Sequence, residues 1–212
     1  MTVSVTSVSV RGDEEIAVTF EIREGEHSQK ETFLLSPVRF ADLGISVGEC
    51  GREVYDRVSE AAEIYRAAKK GLSLLSFGRC SRKALIRKLT LKGFSRDTAS
   101  AAVDELSRQG YIDENSDARR EAERAVDKLW GESRIRLHLR EKGYSDEAVN
   151  AALYALEDDG VDFSEICAER LRKTLDAIPT EPKEKQKLVA SLIRYGFSNS
   201  QIRDAIRSFS EE

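Results

Sequence analysis

Leu85-Ile86-Arg87-Lys88-Leu89-Thr90-Leu91-Lys92-Gly93-Phe94-Ser95, followed by Ala102-Val103, sets the architecture of this chain, because the same phrase returns twice. It reappears as Ile135, Leu139, Gly143, Tyr144, Ser145, Ala152 and Leu153, and again as Leu188, Leu192, Gly196, Phe197, Ser198, Ala205 and Ile206. The three glycines stand 50 and 53 positions apart. Leu85 and Leu89 lie one helical turn apart on one face, and Gly93 comes where a left-handed helix cap is needed. The aromatic after it is placed to pack back across the turn, and the next residue, a serine, suits the N-cap of a second helix. A small residue next to a larger one, as in Ala102-Val103, lets that second helix approach closely. Each phrase therefore predicts two short helices meeting at a tight corner.

A third helix precedes each corner, over Arg52 to about Leu75, Asn115 to Trp130 and Phe163 to Ile178. The expected fold is mainly α, with tandem three-helix repeats forming an elongated curved array. Nine main helices are expected, with Asp113 capping the second unit, Asp162 or Ser164 the third, and Pro179 to Pro182 breaking the chain before its last two. The expected organisation is residues 1–50 as a β-rich extension with a short helix, then repeats over 51–113, 114–160 and 161–212.

The amino-terminal extension has a different period. Val3, Val5, Val8 and Val10, then Ile16, Val18, Phe20 and Ile22, alternate as strands do. The change of register between Val5 and Val8 predicts a bulge, and Gly12 with Asp13 supplies the turn. A third strand fits Glu31 to Leu35, and Ser36-Pro37 starts a short helix that stops near Gly44. Gly44, Gly48 and Gly51 mark the boundary. Three strands cannot bury both faces, so the sheet is expected to pack on the helix that begins at Arg52 and to cap the array.

Little here points to catalysis. His27 and His138 are the only histidines, and the repeat puts His138 level with Lys88 and Ser191, on what reads as an exposed polar helix face. No P-loop, G-x-S-x-G, H-E-x-x-H or dinucleotide fingerprint occurs. Cys50, Cys80 and Cys167 are widely spaced, without C-x-x-C, and read as reduced thiols rather than metal ligands or disulfides. Glu157, Asp158 and Asp159 read as solubilising charge. The expectation is a non-enzyme with no metal or cofactor. No run of about 18 apolar residues is present and the start lacks a signal-peptide core, so a cytoplasmic protein with no membrane contact is expected; a monomer is the default expectation.

Charge is distributed unevenly. The net charge is −4, yet residues 79–113 carry 8 basic and 4 acidic side chains, whereas 114–160 carry 8 and 12. Arg79, Arg82, Lys83, Arg87, Lys88 and Lys92 form a basic group on the first repeat, joined by Arg96. Arg134, Arg136 and Arg140 fall on the equivalent helix of the second, behind Arg119, Arg120 and Arg124 on the helix before it. These twelve cations, Arg96 apart, are the candidate contacts for a polyanion, against the plainer reading of a salt-laced solvated face. Trp130 aligns with Cys80 and Lys183, so it reads either as an exposed anchor or as cover for the junction between modules.

The opening Leu74-Leu75-Ser76-Phe77-Gly78-Arg79-Cys80-Ser81, the Leu89-x-x-x-Gly93-Phe94 phrase and Gly110-Tyr111-Ile112-Asp113 resemble the RecX family of recombination regulators, over nearly the whole chain. The strand-rich start resembles the extension of longer members. Members typically have Arg-Pro-Arg-Ser where this chain has Gly78-Arg79-Cys80-Ser81, and an aromatic where it has Asp117-Ala118. The resemblance implies a modulator of the RecA recombinase in DNA repair, homologous recombination and the SOS response. It implies binding in the groove of the RecA filament on single-stranded DNA, suppressing its growth, ATP hydrolysis and strand exchange, with only weak binding to free single- or double-stranded DNA. Arg79 and Ser81 carry over from the opening motif, Ser81 as a helix cap. Two other readings stand beside this one. A helix-turn-helix transcription regulator needs base-reading polar side chains in the helix after each corner, where this chain has Ala99, Ala101 and Ala102. A pure protein scaffold would bind without regard to salt.

Overall fold

The computed structural model describes residues 2–12 and 15–211, with side chains described as far as residue 209. All three corners close in the same way. Gly93, Gly143 and Gly196 take φ of +95°, +86° and +94°, a region that favours glycine. The glycine N–H donates three residues back, to Thr90, Arg140 and Ile193, and the aromatic N–H five back, to Leu89, Leu139 and Leu192. This pair of bonds is a Schellman cap. Ser95, Ser145 and Ser198 then cap the next helix through their hydroxyls, accepting from the N–H groups of Thr98, Ala148 and Gln201.

The described residues contain ten helices and four strands. The strands are β1 (Thr2–Arg11), β2 (Glu15–Glu24), β3 (His27–Leu35) and, after the short helix α1 (Pro37–Leu43), β4 (Gly48–Cys50). They form an antiparallel sheet in the order β3-β2-β1-β4. The expected bulge is present between Val5 and Ser7, Gly12 takes φ +64°, and Asp13 lies outside the described residues. Two expectations need correction. β3 starts at His27 rather than Glu31, because Ser28 to Lys30 pair with β2 although their exposed polar side chains show no alternation. The sheet has a fourth strand, for which the sequence carries no signal because three residues flanked by glycines are too short to display a period.

The helices are α2 (Arg52–Leu75), α3 (Arg82–Thr90), α4 (Arg96–Arg108), α5 (Glu114–Val126), α6 (Glu132–Glu141), α7 (Asp146–Asp158), α8 (Phe163–Thr174), α9 (Pro182–Arg194) and α10 (Asn199–Glu211). Ser36 and Pro37 start α1 as cap and first residue, and Gly44 ends it at φ +61°. α5 and α8 stop four residues before their expected ends; at the close of α5, Leu129 takes a left-handed φ of +55°.

The chain divides into two compact units, residues 1–78 with 85–111, and residues 79–84 with 112–212. In the first, Val3, Val5, Val18, Phe20 and Leu35 of the sheet bury against Val58 and Ala61 of α2. Phe20, Phe33 and Tyr55 meet edge to face, and the Tyr55 hydroxyl donates to Glu31. Farther along α2, Gly71 lets α4 come close: a methyl there would lie 2.7 Å from Leu106 Cδ1, with Leu85 and Leu89 just beyond.

In the second unit, α5 packs on α7 and α8 on α10. One core holds Ala118, Ala122, Ile135, Leu139, Ala152 and Leu156, and the next holds Ile166, Leu171, Leu192, Phe197 and Ile202. Small alanines on α5 set against larger side chains on α6 and α7 allow the helices to approach closely.

Candidate functional site

The twelve cations singled out from the sequence have different surroundings. In the second unit Arg119 is held by Glu123 at 3.0 Å and by Asp159 at 2.8 Å. Asp159 is therefore a specific partner rather than plain solubilising charge. Arg136 bonds Glu132 at 2.9 Å and Asn150 at 2.6 Å, and Arg140 bonds Asp146 at 2.8 Å. Arg120 and Arg124 stand at 4.0 and 3.8 Å from Asp117 and Glu121. Arg79 donates to Asp117 at 2.9 Å, and that carboxylate is buried. The backbone N–H of Arg82 donates to Glu114 at 2.9 Å, while Lys83 is exposed.

Arg134 is committed to packing. Its guanidinium lies 4.1 Å from the Trp130 ring centre and 4.6 Å from that of Tyr195, and Arg170 also covers Tyr195. Of the two readings of Trp130, the structure has the junction: the ring is half-buried, packed on the core of the second repeat and joined through Arg134 to the third. His138 is not on an open polar face. Its side chain is 22% exposed, its Nε2 lies 3.0 Å from Glu121, and its ring meets Trp130 edge-on at 5.1 Å. The wide indole of Trp130 covers a position that the repeat alignment alone reads as polar.

Glu121 is the hub of this region, with Lys142 Nζ at 2.7 Å beside His138. Burial opposes its ionisation, but the hydrogen bonds and charges of Lys142 and His138 prevail and hold its carboxyl below the ordinary range. Tyr144 is pushed up to about 12, mainly by burial and then by the nearby carboxylates.

In the first unit Arg87 and Lys92 are exposed and Lys88 half-exposed, and none has an ion-pair partner among the described residues. Sequence reasoning missed that α2 adds to them. Arg66, Lys69, Lys70 and Ser73 line a hollow of about 570 Å³ together with Lys92 and Phe94. Arg66 lies over the Phe94 ring at 5.3 Å and bonds Glu63. Lys69 bonds Glu15 at 2.6 Å, which holds that carboxyl below the ordinary range. Lys70, like Lys92, has no ion-pair partner among the described residues. The signal was in the sequence: Arg66, Lys69, Lys70 and Ser73 recur at helical spacing on one face. In this hollow Lys70 and Lys92 offer uncompensated positive charge. Among the described residues no group of His, Cys, Asp and Glu converges as a metal site, and no helix is long and apolar enough to cross a membrane.

No family model matches the chain, but individual relatives do. It is 34% identical over 152 residues to the regulatory protein RecX of Xanthomonas axonopodis pv. citri, an alignment covering 71% of this chain and 90% of that one. It is 29% identical over 143 residues to the regulatory protein RecX of Chlorobaculum tepidum, covering 66% of this chain and 86% of that one. A solved structure of a regulatory protein RecX superposes over 99% of this chain and all of its own, with a TM-score of 0.71 at 17% identity. RecX from Lactobacillus salivarius superposes over 71% and 98%, with a TM-score of 0.57 at 23% identity. These structures share the fold, and the sequence relatives decide the family: the chain belongs to the RecX family of regulatory proteins.

Proposed function

We propose that this protein binds the RecA nucleoprotein filament and restrains its assembly, its ATP hydrolysis and its strand exchange in recombination and repair. The observation that carries the reading, beside the family, is where the free positive charge lies. Arg119, Arg136 and Arg140 of the second repeat are already neutralised by carboxylates, whereas Arg87, Lys88 and Lys92 of the first have no such partner among the described residues. A polyanionic assembly gains most from the uncompensated group, because no internal ion pair must first be broken. Several weak contacts made together on neighbouring filament subunits add through effective concentration. No chemistry of the protein's own is required.

The competing reading of the corners as base-reading helix-turn-helix units fits less well. α4 turns Ala99, Ala102, Val103 and Leu106 inward, and its exposed charges are mixed, Arg96 and Arg108 beside Asp97 and Asp104, rather than a set of polar side chains suited to base edges. Co-sedimentation with RecA filaments on single-stranded DNA, with a DNA-only control, tests the reading. Arg87→Glu with Lys88→Glu lowers filament affinity by about tenfold with the unfolding midpoint unchanged. Unchanged affinity in the folded variant assigns binding to another surface.

A further inference from the structure

The three corners close alike, but among the described residues two of them have an occupant and the third has none. At Gly143 the Ser81 hydroxyl, at the start of α3, donates to the Lys142 carbonyl at 2.7 Å. At Gly196 the start of α6 arrives, with the Gly131 N–H donating to the Tyr195 carbonyl at 2.8 Å and the Ser133 N–H to the Gly196 carbonyl at 3.2 Å. The same lock is thus used twice: the beginning of a helix, led by a small residue, seats its donors on the carbonyls beside the corner glycine. The fit is tight. A methyl on Gly143 would lie 3.0 Å from Ser81 Oγ, and one on Gly196 would lie 2.4 Å from the Arg134 nitrogen. At Gly93 a methyl would meet no described atom within 4 Å, and the glycine borders the hollow lined by Lys70, Ser73 and Lys92.

Charge separates the Gly93 corner from the Gly143 corner. Lys142, which precedes Gly143, is neutralised by Glu121 of α5, and the arm that visits the corner brings Arg79 to Asp117 of the same helix. Lys92, which precedes Gly93, shares its hollow with Arg66, Lys69 and Lys70 of α2. The Gly143 corner sets Arg79 and Lys142 against Asp117 and Glu121 of α5, whereas the Gly93 corner sets Lys92 beside Lys70 of α2, neither with an ion-pair partner among the described residues.

We propose that the Gly93 corner docks the N-terminus of a helix from a protein partner. The visiting helix has glycine or serine as its N-cap, seated at Gly93 with its donor on the Lys92 carbonyl, and aspartate or glutamate in its first turn facing Lys70 and Lys92. A helix start supplies both halves of this match, free N–H groups and a preference for acidic residues. A nucleic-acid backbone supplies only one. The N–H groups of Gly93 and Phe94 are spent on Thr90 and Leu89, so the corner keeps neither as a donor for phosphate. A second copy of this chain also fits poorly. Its last repeat has Glu184 level with Gly131 of α6, and Gly131 lacks room even for a methyl, which would lie 2.3 Å from the Gly196 carbonyl carbon. The inference rests on the proposed function in taking the recombinase as the protein that supplies the helix.

The test places a photo-crosslinking side chain in the hollow of the full-length protein, as Ser73→p-benzoylphenylalanine, with folding checked by thermal unfolding. The protein is irradiated with assembled recombinase filaments on single-stranded DNA, and with the DNA alone. The expected product joins this protein to a recombinase peptide that starts a helix with glycine or serine and carries an acidic residue within the next turn. Adding Lys70→Glu and Lys92→Glu removes that product and weakens filament co-sedimentation by about tenfold. A crosslink to DNA, to a second copy, or to any other recombinase segment overturns the proposal. No crosslink while filament binding persists overturns it and leaves the proposed function standing. Absence of filament binding by the unsubstituted protein removes both.

Discussion

Two glycines meet where the second and third repeats join, and they are glycine for different reasons. Gly196 has φ +94° and sits against the Arg134 backbone, so it needs both the conformation and the space. Gly131 has an ordinary N-cap φ of −78° and needs only the space. Gly131→Ala therefore lowers stability by about 3 kcal/mol or more, because backbone on the other side must move; urea denaturation reads this directly. Glu121 makes a second prediction at this scale. Its folded pKa is depressed, so its contribution is present above the unfolded value and is lost as pH falls through the folded one. Stability of the wild type should fall on acidification below about pH 4.5, and Glu121→Gln should flatten that part of the curve while lowering stability at pH 7. A variant with the same acid limb as the wild type would remove Glu121 from the account. What the sequence hides at this scale is pairing across the fold. Arg134 and Arg136 are the same residue type two positions apart on α6, and the three-dimensional neighbours separate the stacked guanidinium from the carboxylate-bound one.

The elements are far more legible. Leucine, glycine, aromatic and serine at fixed offsets specify a helix end, its cap and the start of the next helix, all of them local interactions, and each corner forms as the pattern requires. Ser145→Ala should cost about 1 kcal/mol by removing the α7 cap, and Leu139→Ala about 2–5 kcal/mol by opening a cavity between α5, α6 and α7. Denaturant midpoints check both, and a larger loss from the cap than from the core would contradict this packing. The elements that differ from expectation lack such local signals. β4 is three residues long and gains its place only by pairing with β1. The start of β3 carries Ser28, Gln29 and Lys30, polar residues held in the sheet by β2. Apolar spacing continues past Val126 and carries the expected α5 on to Trp130, but the backbone turns at Leu129 instead.

At the scale of the whole molecule, net charge is a poor guide and its distribution a better one. An overall charge of −4 coexists with a first repeat whose cations are largely uncompensated and a second whose cations are largely paired. The blocks of basic residues are visible in the sequence, but which of them are free is not, since Asp159 and Asn150 approach Arg119 and Arg136 only after folding. Filament binding through the first repeat should weaken steeply as salt rises, in contrast with a scaffold held by apolar contacts. The most direct test of the account is single-stranded-DNA-dependent ATP hydrolysis by the cognate RecA recombinase, titrated with this protein. The account predicts inhibition at well below one molecule per recombinase. Hydrolysis unaffected across the titration, with no binding to the assembled filament, would contradict it.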